Sequence, residues 1–334
     1  MTIETVPENW REFQPEGDCL LIRYGAIGDM IQASSPIRAL HDKGYTVVLN
    51  TTPKGWDIVK MDPHISGAII QRTGQISQKE LHEYWIHLGR GFNRVINLSE
   101  SAERTLLAVQ GDKAWRWNKE FRDLMFSVDY LDAVHAIANV MDEPRWTKFY
   151  PTKNEIRKAI SSRHKLGMRN KVVMWVLSGS SVHKSYPFTD NVVARLMLEM
   201  PDVRVIFVGD QLCQILDDAW RNEPRVSCKS GRWTIRQTLA FVPQCDAVVG
   251  PETGVMQAAA FEDMPKILML SHASRKNLVW PNTTYLAPEG CDCYPCHKLH
   301  YGWSTCNRDP ETGAAMCAAR IAPSRVYDAI RSAI

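Results

Sequence analysis

Short apolar runs alternate with amphipathic stretches along most of this chain, and the alternation stops once and starts again. "CLLIRYG" (19–25) leads to helical spacing near 29–43, then "YTVVLNT" (45–51), a helix near 54–61 and "SGAIIQR" (66–72). A helical stretch near 77–90 precedes "RVINLSE" (94–100). This is the rhythm of parallel strands with helices on both faces of the sheet. It breaks in the polar, proline-containing passage at 143–170 and restarts with "KVVMWVLSGSS" (171–181). A helix near 188–200, "VRVIFVGD", a helix near 211–221, "CDAVVGPETG", a helix near 254–262 and "PKILMLS" follow. Two successive α/β units joined by a linker predict two Rossmann-like lobes with a cleft between them. The boundaries read as 18–160 for the first lobe, 168–322 for the second and 323–334 for a terminal helix.

Composition excludes several classes. The 334 residues suffice for two cores, and 45% hydrophobic with 23% charged content is ordinary for a globular protein. A net charge of +3 does not by itself argue for nucleic acid or an acidic membrane. "MTIETVPENWREFQPEG" carries acids and no apolar core, so no secretory signal is expected. No run of about 18 apolar residues is present, so no spanning helix is expected. A reducing, cytoplasmic setting then makes the nine cysteines thiols or metal ligands more readily than disulfides.

In "VVGPETGVMQAAA" (248–260) a buried strand ends and a helix begins near Thr253, whose side chain suits an N-cap. The amides of Gly254, Val255 and Met256 would then be free for an anion. Such caps are common, and a plain strand-turn-helix explains this stretch equally well. Upstream, "VLSGSSVHKSYP" (176–187) follows another buried strand with a hydroxyl-rich turn at Ser178–Ser181 and a cation at Lys184. Lys184 suits a diphosphate as a point charge, although most lysines are merely solvated. Both loops would lie at the carboxyl edge of one sheet, where open α/β folds bind ligands. Neither is a dinucleotide fingerprint, which needs G-x-G-x-x-G after the first strand and an acid about 20 residues on. "RYGAIGDMIQ" (23–32) offers Gly25 and Gly28, then Asp29. An acid there suits a general base for a hydroxyl nucleophile, and also a residue that simply complements a helix N-terminus.

Taken in order, "LLIRYGAIGDMIQASSPIRAL", "SGSSVHKSYPF", "VIFVGD" and "SGRWTIRQTLAFVPQCDAVVGPETGVMQAAA" resemble glycosyltransferase family 9, the ADP-heptose:lipopolysaccharide heptosyltransferases and their relatives. The resemblance spans about residues 18–325. It implies a GT-B fold with an acceptor-binding N-lobe and a donor-binding C-lobe, and inverting, metal-independent transfer from a nucleoside-diphosphate sugar, ADP-linked by default. By position, Asp29 matches the general base and Lys184 the phosphate-contacting lysine. Thr253, Gly254 and Val255 match the diphosphate loop, with Glu252 and Ser180 beside them, and Gly209 matches a turn beside the base. Two positions depart: Glu252 stands where the family usually has Asp, and Gln257 where it often has His. The donor therefore stays open. The implied acceptor is a saccharide such as a lipopolysaccharide core, and the implied location is cytoplasmic, at most peripheral at the inner membrane.

"RTLLAVQGDKAWRWNKEFR" (104–122) interleaves Arg104, Lys113, Arg116, Lys119 and Arg122 with Trp115 and Trp117. Such a mixture suits an acidic saccharide, and equally a nucleic-acid strand with bases to stack. Arg104, Trp115, Arg116 and Lys119 are the acceptor candidates, expected on the N-lobe. An amphipathic helix with solvated charges is the plainer account. Glycosylation of a modified base in nucleic acid, a nucleotide-sugar epimerase and a non-catalytic nucleotide-binding module are the competing functions. Finally, Cys293, Cys296, Cys306 and Cys317 crowd the segment 291–317 at spacing that closes a tetrahedral zinc site, with simple thiols or disulfides as the alternatives.

Overall fold

A computed structural model describes residues 2–99 and 106–334. The chain forms two compact units, and the division is not a single cut. One unit holds the chain up to Thr105 together with Tyr130–Tyr150, and the other holds Leu106–Asp129 with Pro151–Ile334.

The first unit is built on β1 (Thr2–Thr5), β2 (Gly17–Ile22), β3 (Val47–Thr51), β4 (Gly67–Ile70) and β5 (Phe92–Asn97). They form one parallel sheet in the order β1-β4-β3-β2-β5. Leu20 of β2 is registered with Val48 on one side and Val95 on the other. Strand residues Leu20, Ile22 and Ile69 bury one face against Tyr84, Trp85 and Leu88 of helix Leu81–Gly89. Buried Asn50 stays satisfied by donating to the Ile69 carbonyl and the Tyr84 hydroxyl, both at 3.0 Å.

The second unit carries β6 (Lys171–Val176), β7 (Val203–Val208), β8 (Val226–Cys228), β9 (Ala247–Pro251), β10 (Lys266–Met269) and β11 (Thr283–Leu286). This sheet is also parallel, in the order β11-β10-β9-β6-β7-β8. Trp175, Phe207 and Val249 are fully buried in its core. The expected terminal helix runs over Pro323–Ala333 and seals that core with Val326, Tyr327 and Ile330, while Tyr327 donates to Glu199 at 2.7 Å.

The strand orders locate the ligand edges. From β2 the chain steps outward through β3 and β4, then returns to place β5 on the other side of β2. From β6 it steps through β7 and β8, then returns to place β9 on the other side. Where successive connections leave in opposite directions, a crevice opens at the carboxyl ends of the strands. The crevices lie beyond β2/β5 and beyond β6/β9.

Three sequence expectations need correction. The passage at 143–170 is not all linker, because Lys153–Lys165 is a helix. Thr152 and Glu155 form a reciprocal capping box, which starts a helix in a polar sequence lacking apolar periodicity. The boundary accordingly falls at Tyr150/Pro151, and this helix belongs to the second unit. The basic-aromatic segment also belongs to that unit and not to the N-terminal one. The third correction concerns strands that were not expected. β1, β8 and β11 escaped the pattern because each has only three or four residues with at most one buried.

Candidate functional site

Asp29 is the third residue of helix Ile27–Asp42, which begins four residues beyond β2. Its Oδ2 accepts from the Ala26 amide at 2.7 Å and its Oδ1 meets the Arg23 guanidinium at 2.7 Å. Arg23 is almost wholly buried and also donates to the Leu98 carbonyl beyond β5. The Tyr24 amide donates to Ser99 Oγ at 2.9 Å, so the ends of β2 and β5 are tied around this turn. Gly25 sits at φ +141°, and a Cβ there would lie 2.6 Å from Asp29 Oδ2. The glycine is needed both for its backbone and for the carboxylate's space. Asp29 thus serves the helix start, as the plainer account expects. Each of its oxygens keeps a second lone pair for another donor.

The second crevice gathers the loops after β6 and β9. A Cβ built on Gly179 would lie 2.9 Å from Lys184 Cδ and 3.0 Å from Thr253 Cγ2. Two stretches some seventy residues apart in sequence therefore converge on one glycine. The Gly179 amide donates to the Lys184 carbonyl at 3.0 Å, and Ser178 and Ser185 form an antiparallel bridge. Thr253 caps helix Gly254–Ala259, accepting from the Met256 amide at 3.4 Å. Close approach of β9 to β6 requires Gly250, since a Cβ there would lie 2.7 Å from Val176 Cβ. Gly209 packs against Cys213 and Ser230 Oγ beyond β7.

Glu252 is buried and directed at the interior, with its Oε2 3.3 Å from His272 Nε2. His272 Nδ1 lies 3.1 Å from His183 Nε2. Both imidazoles are buried, and burial pushes each well below the ordinary histidine range, with Lys184 and neighbouring histidines acting in the same direction. Sequence reasoning missed this pair because nothing in the local pattern joins position 183 to position 272.

The basic-aromatic segment folds onto the cysteine-rich stretch. Ala108 bridges Lys298, Lys119 Nζ donates to the Asp292 carbonyl at 2.7 Å, and Arg122 donates to the Cys296 carbonyl at 2.8 Å and to that of Trp117. Lys298 Nζ lies 4.5 Å from the Trp115 ring centre, and His300 meets that ring edge-on at 5.4 Å. Trp117 stacks on Phe126. Trp115, Lys119 and Arg122 are therefore engaged within the protein and not laid out as a stacking platform for nucleic acid. Arg104 lies outside the described residues.

Cys293, Cys296, Cys306 and Cys317 line one cavity of about 160 Å³, together with Arg122, Lys298 and the histidines 183, 272 and 300. Burial pushes Cys296 and Cys306 up to about 11 and Cys317 higher still. A hydrogen bond from Cys291, 3.6 Å away, pulls Cys293 down to about 6. Among the described residues, the three ligand-type groups with atoms within 4.8 Å of one another are His41, Asp42 and His64. The four cysteines surround their cavity without meeting at its centre.

No protein-family model and no curated protein matches the sequence. Solved structures do match, over nearly the whole chain. Escherichia coli ADP-heptose lps heptosyltransferase II aligns at TM-score 0.64 and 14% identity, covering 94% of this chain and 98% of that one. The glycosyl transferase family 9 protein of Veillonella parvula aligns at TM-score 0.69 and 12% identity, covering 96% and 98%. The fold is that of the family 9 glycosyltransferases. It is the GT-B architecture that the family resemblance implies, built on the two Rossmann-like sheets that the α/β rhythm predicts. TibC, described as a dodecameric iron-containing heptosyltransferase in complex with ADP-D-beta-D-heptose, aligns at TM-score 0.58 and 11% identity over 96% of this chain and 77% of that one. No helix among the described residues is long and apolar enough to cross a membrane.

Proposed function

We propose that this chain is an inverting glycosyltransferase that moves a sugar from a nucleoside-diphosphate sugar to an acceptor hydroxyl. The observation that carries this reading is the convergence of Gly179, Lys184 and Thr253 at the β6/β9 crevice of a GT-B chain. In this reading Lys184, Ser180 and the amides of Thr253, Gly254 and Val255 hold the diphosphate, and Gly209 borders the base. Glu252 braces the loop from inside. The first amides of a helix have no intrahelical acceptor, so they can donate to phosphate oxygens.

The acceptor O–H gives its proton to Asp29, and its oxygen forms a new bond to the anomeric carbon. The bond from that carbon to the diphosphate oxygen breaks, and the electron pair leaves on the nucleotide. Lys184 and the loop amides stabilise the charge that develops there, with no metal ion in the step. The acceptor class is a saccharide, in line with the lipopolysaccharide heptosyltransferase among the structural neighbours. ADP-heptose is the first donor to try, since TibC was seen with it. If a structural zinc ion binds, or the iron that TibC's description raises as the alternative, Cys293, Cys296, Cys306 and Cys317 are the candidate ligands, and their sulfurs would have to draw together around it. Bound there, the metal would cross-link the chain and take no part in transfer.

The test is calorimetric titration with ADP, GDP, UDP and TDP, followed by transfer assays with the matching sugars. Binding of one nucleotide and a product of inverted anomeric configuration are expected. Failure to bind any of the four would overturn the donor-site reading. Conversion of the sugar nucleotide without an acceptor would make the protein an epimerase.

A further inference from the structure

The first unit carries two histidines and two aspartates that the transfer step does not use. His41 and Asp42 end helix Ile27–Asp42, and His64 lies in the turn that precedes β4. Residues that precede parallel strands gather at the opposite sheet edge from those that follow them, so this group is remote from Asp29. Along the helix alone, Asp29 and His41 are about 18 Å apart at 1.5 Å per residue.

One ligand atom from each of His41, Asp42 and His64 lies within 4.8 Å of the other two. The two imidazoles meet edge-on with 5.1 Å between ring centres, and His41 Nδ1 is 3.6 Å from Asp42 Oδ1. Tetrahedral zinc with bonds of about 2.0–2.2 Å holds its ligand atoms about 3.3–3.6 Å apart. The exposed side chains of His41 and Asp42 can turn to make up the difference.

An independent observation comes from Asp62, which stands behind His64 and is 3% exposed. Its Oδ1 accepts from the His64 amide at 3.0 Å and from ring Nδ1 at 2.8 Å. With the proton on Nδ1, the His64 lone pair lies on Nε2. A carboxylate that holds the far N–H of a histidine fixes the ring and raises the basicity of its other nitrogen, as it does for metal-binding histidines. Asp62 Oδ2 is buried without a hydrogen-bond partner among the described residues. A buried carboxylate satisfied on one oxygen only calls for positive charge nearby.

Asp42 calls for the same, since a carboxylate in the last turn faces the negative end of the helix dipole. Adjacent Lys43 is turned to Asp142 and Glu143. Arg38 adds its field to both aspartates, but its guanidinium is anchored to the Pro144 carbonyl and the Trp146 ring.

We propose that His41, Asp42 and His64 bind a divalent transition metal, zinc first, with buried Asp62 as the outer carboxylate that holds His64. Two nitrogens and one oxygen suit zinc, and water completes the set on the open side. The ion ties the end of the helix that begins beside Asp29 to the turn before β4. The cysteine cavity belongs to the other unit, so the two sites are separate.

The experiment titrates untagged, chelator-stripped full-length protein with Zn²⁺ by calorimetry and follows thermal unfolding with and without the ion. His41→Ala, an exposed change, should take up one equivalent fewer than wild type and gain less in unfolding midpoint from Zn²⁺. Counting the difference between the two proteins removes any zinc held by the cysteines. Asp62→Asn keeps an acceptor for Nδ1 but not the charge, and should weaken that equivalent by about 10–100-fold. His41→Cys supplies another zinc ligand and should recover the lost equivalent. Equal zinc uptake by wild type and folded His41→Ala would overturn the site, as would a folded wild type that takes up none. Full-strength binding in folded Asp62→Asn would overturn the outer role of Asp62. If that variant does not fold, His41→Ala and His41→Cys still decide the site.

Discussion

Asp29 and Lys184 are single residues whose types are explained by their neighbours. Arg23 and the Ala26 amide hold the Asp29 carboxylate in one orientation. Asp29→Asn should preserve the fold and nucleotide affinity while lowering turnover by about 10²–10⁴-fold in a steady-state assay. Near-normal turnover would leave Asp29 as a helix-start residue alone. Gly25→Ala forces a side chain into a left-handed backbone 2.6 Å from Asp29 Oδ2. It should cost stability in urea titration and displace the carboxylate, so its activity loss should rival that of Asp29→Asn. Lys184→Ala should weaken nucleoside-diphosphate binding in calorimetry by about tenfold, the scale of one charge-assisted contact. Unchanged affinity would remove the lysine from the phosphate site. Asp29 and Lys184 were both legible in the sequence, because each follows a buried strand in a glycine-bearing turn. Arg23, His183 and His272 were not, because their partners are remote in the chain.

Helix Lys153–Lys165 shows how an element is held by its start and one ion pair. Arg236 donates to both oxygens of Glu155, at 2.7 and 2.9 Å, and thereby clamps this helix to helix Ile235–Phe241. Burial raises the Glu155 carboxyl, but the Arg236 fork and the Thr152 donors outweigh it and bring it from 4.5 to about 2. A folded-state value depressed in this way contributes stability above about 4.5 that is lost as pH falls toward about 2. Glu155→Gln should therefore destabilise the protein by about 2 kcal/mol near neutral pH, since it leaves a buried guanidinium without its counter-ion. The difference from wild type should shrink as pH falls through that window. An equal difference at pH 7 and pH 2.5 in urea denaturation would refute the assignment. Thr152→Ala should cost about 1 kcal/mol through the lost cap.

At the scale of the molecule, the second unit is assembled from two separate stretches of chain. Residues 106–129 reach the rest of that unit through polar groups that need partners. Asn277, fully buried, donates to the carbonyls of Phe126 and Val128, and buried His297 meets Asp123 at 3.1 Å. A chain beginning at Pro151 would leave these groups and the Cys296 carbonyl without partners. It should unfold with a lower midpoint and lower cooperativity than the unit does in the full protein, and a peptide of residues 106–129 should partly restore it. Cooperative unfolding of Pro151–Ile334 at the midpoint of that unit in the full chain would show the segment to be dispensable.

The α/β class, the parallel sheets and most strand positions were determined by the sequence alone. Alternating apolar runs and helical spacing have only one economical way to bury themselves, with helices on both sheet faces. Local chemistry also settled the caps and turns at Thr253, Gly25 and Gly179, where a hydroxyl or a missing Cβ acts within a few residues. The tertiary structure decided what depends on distance through space. It moved 106–129 into the second unit, turned Trp115, Lys119 and Arg122 toward the cysteine-rich stretch, and placed His183 on the wall of the cavity. A local pattern reports which face of an element is apolar, and it is silent about which distant element covers that face.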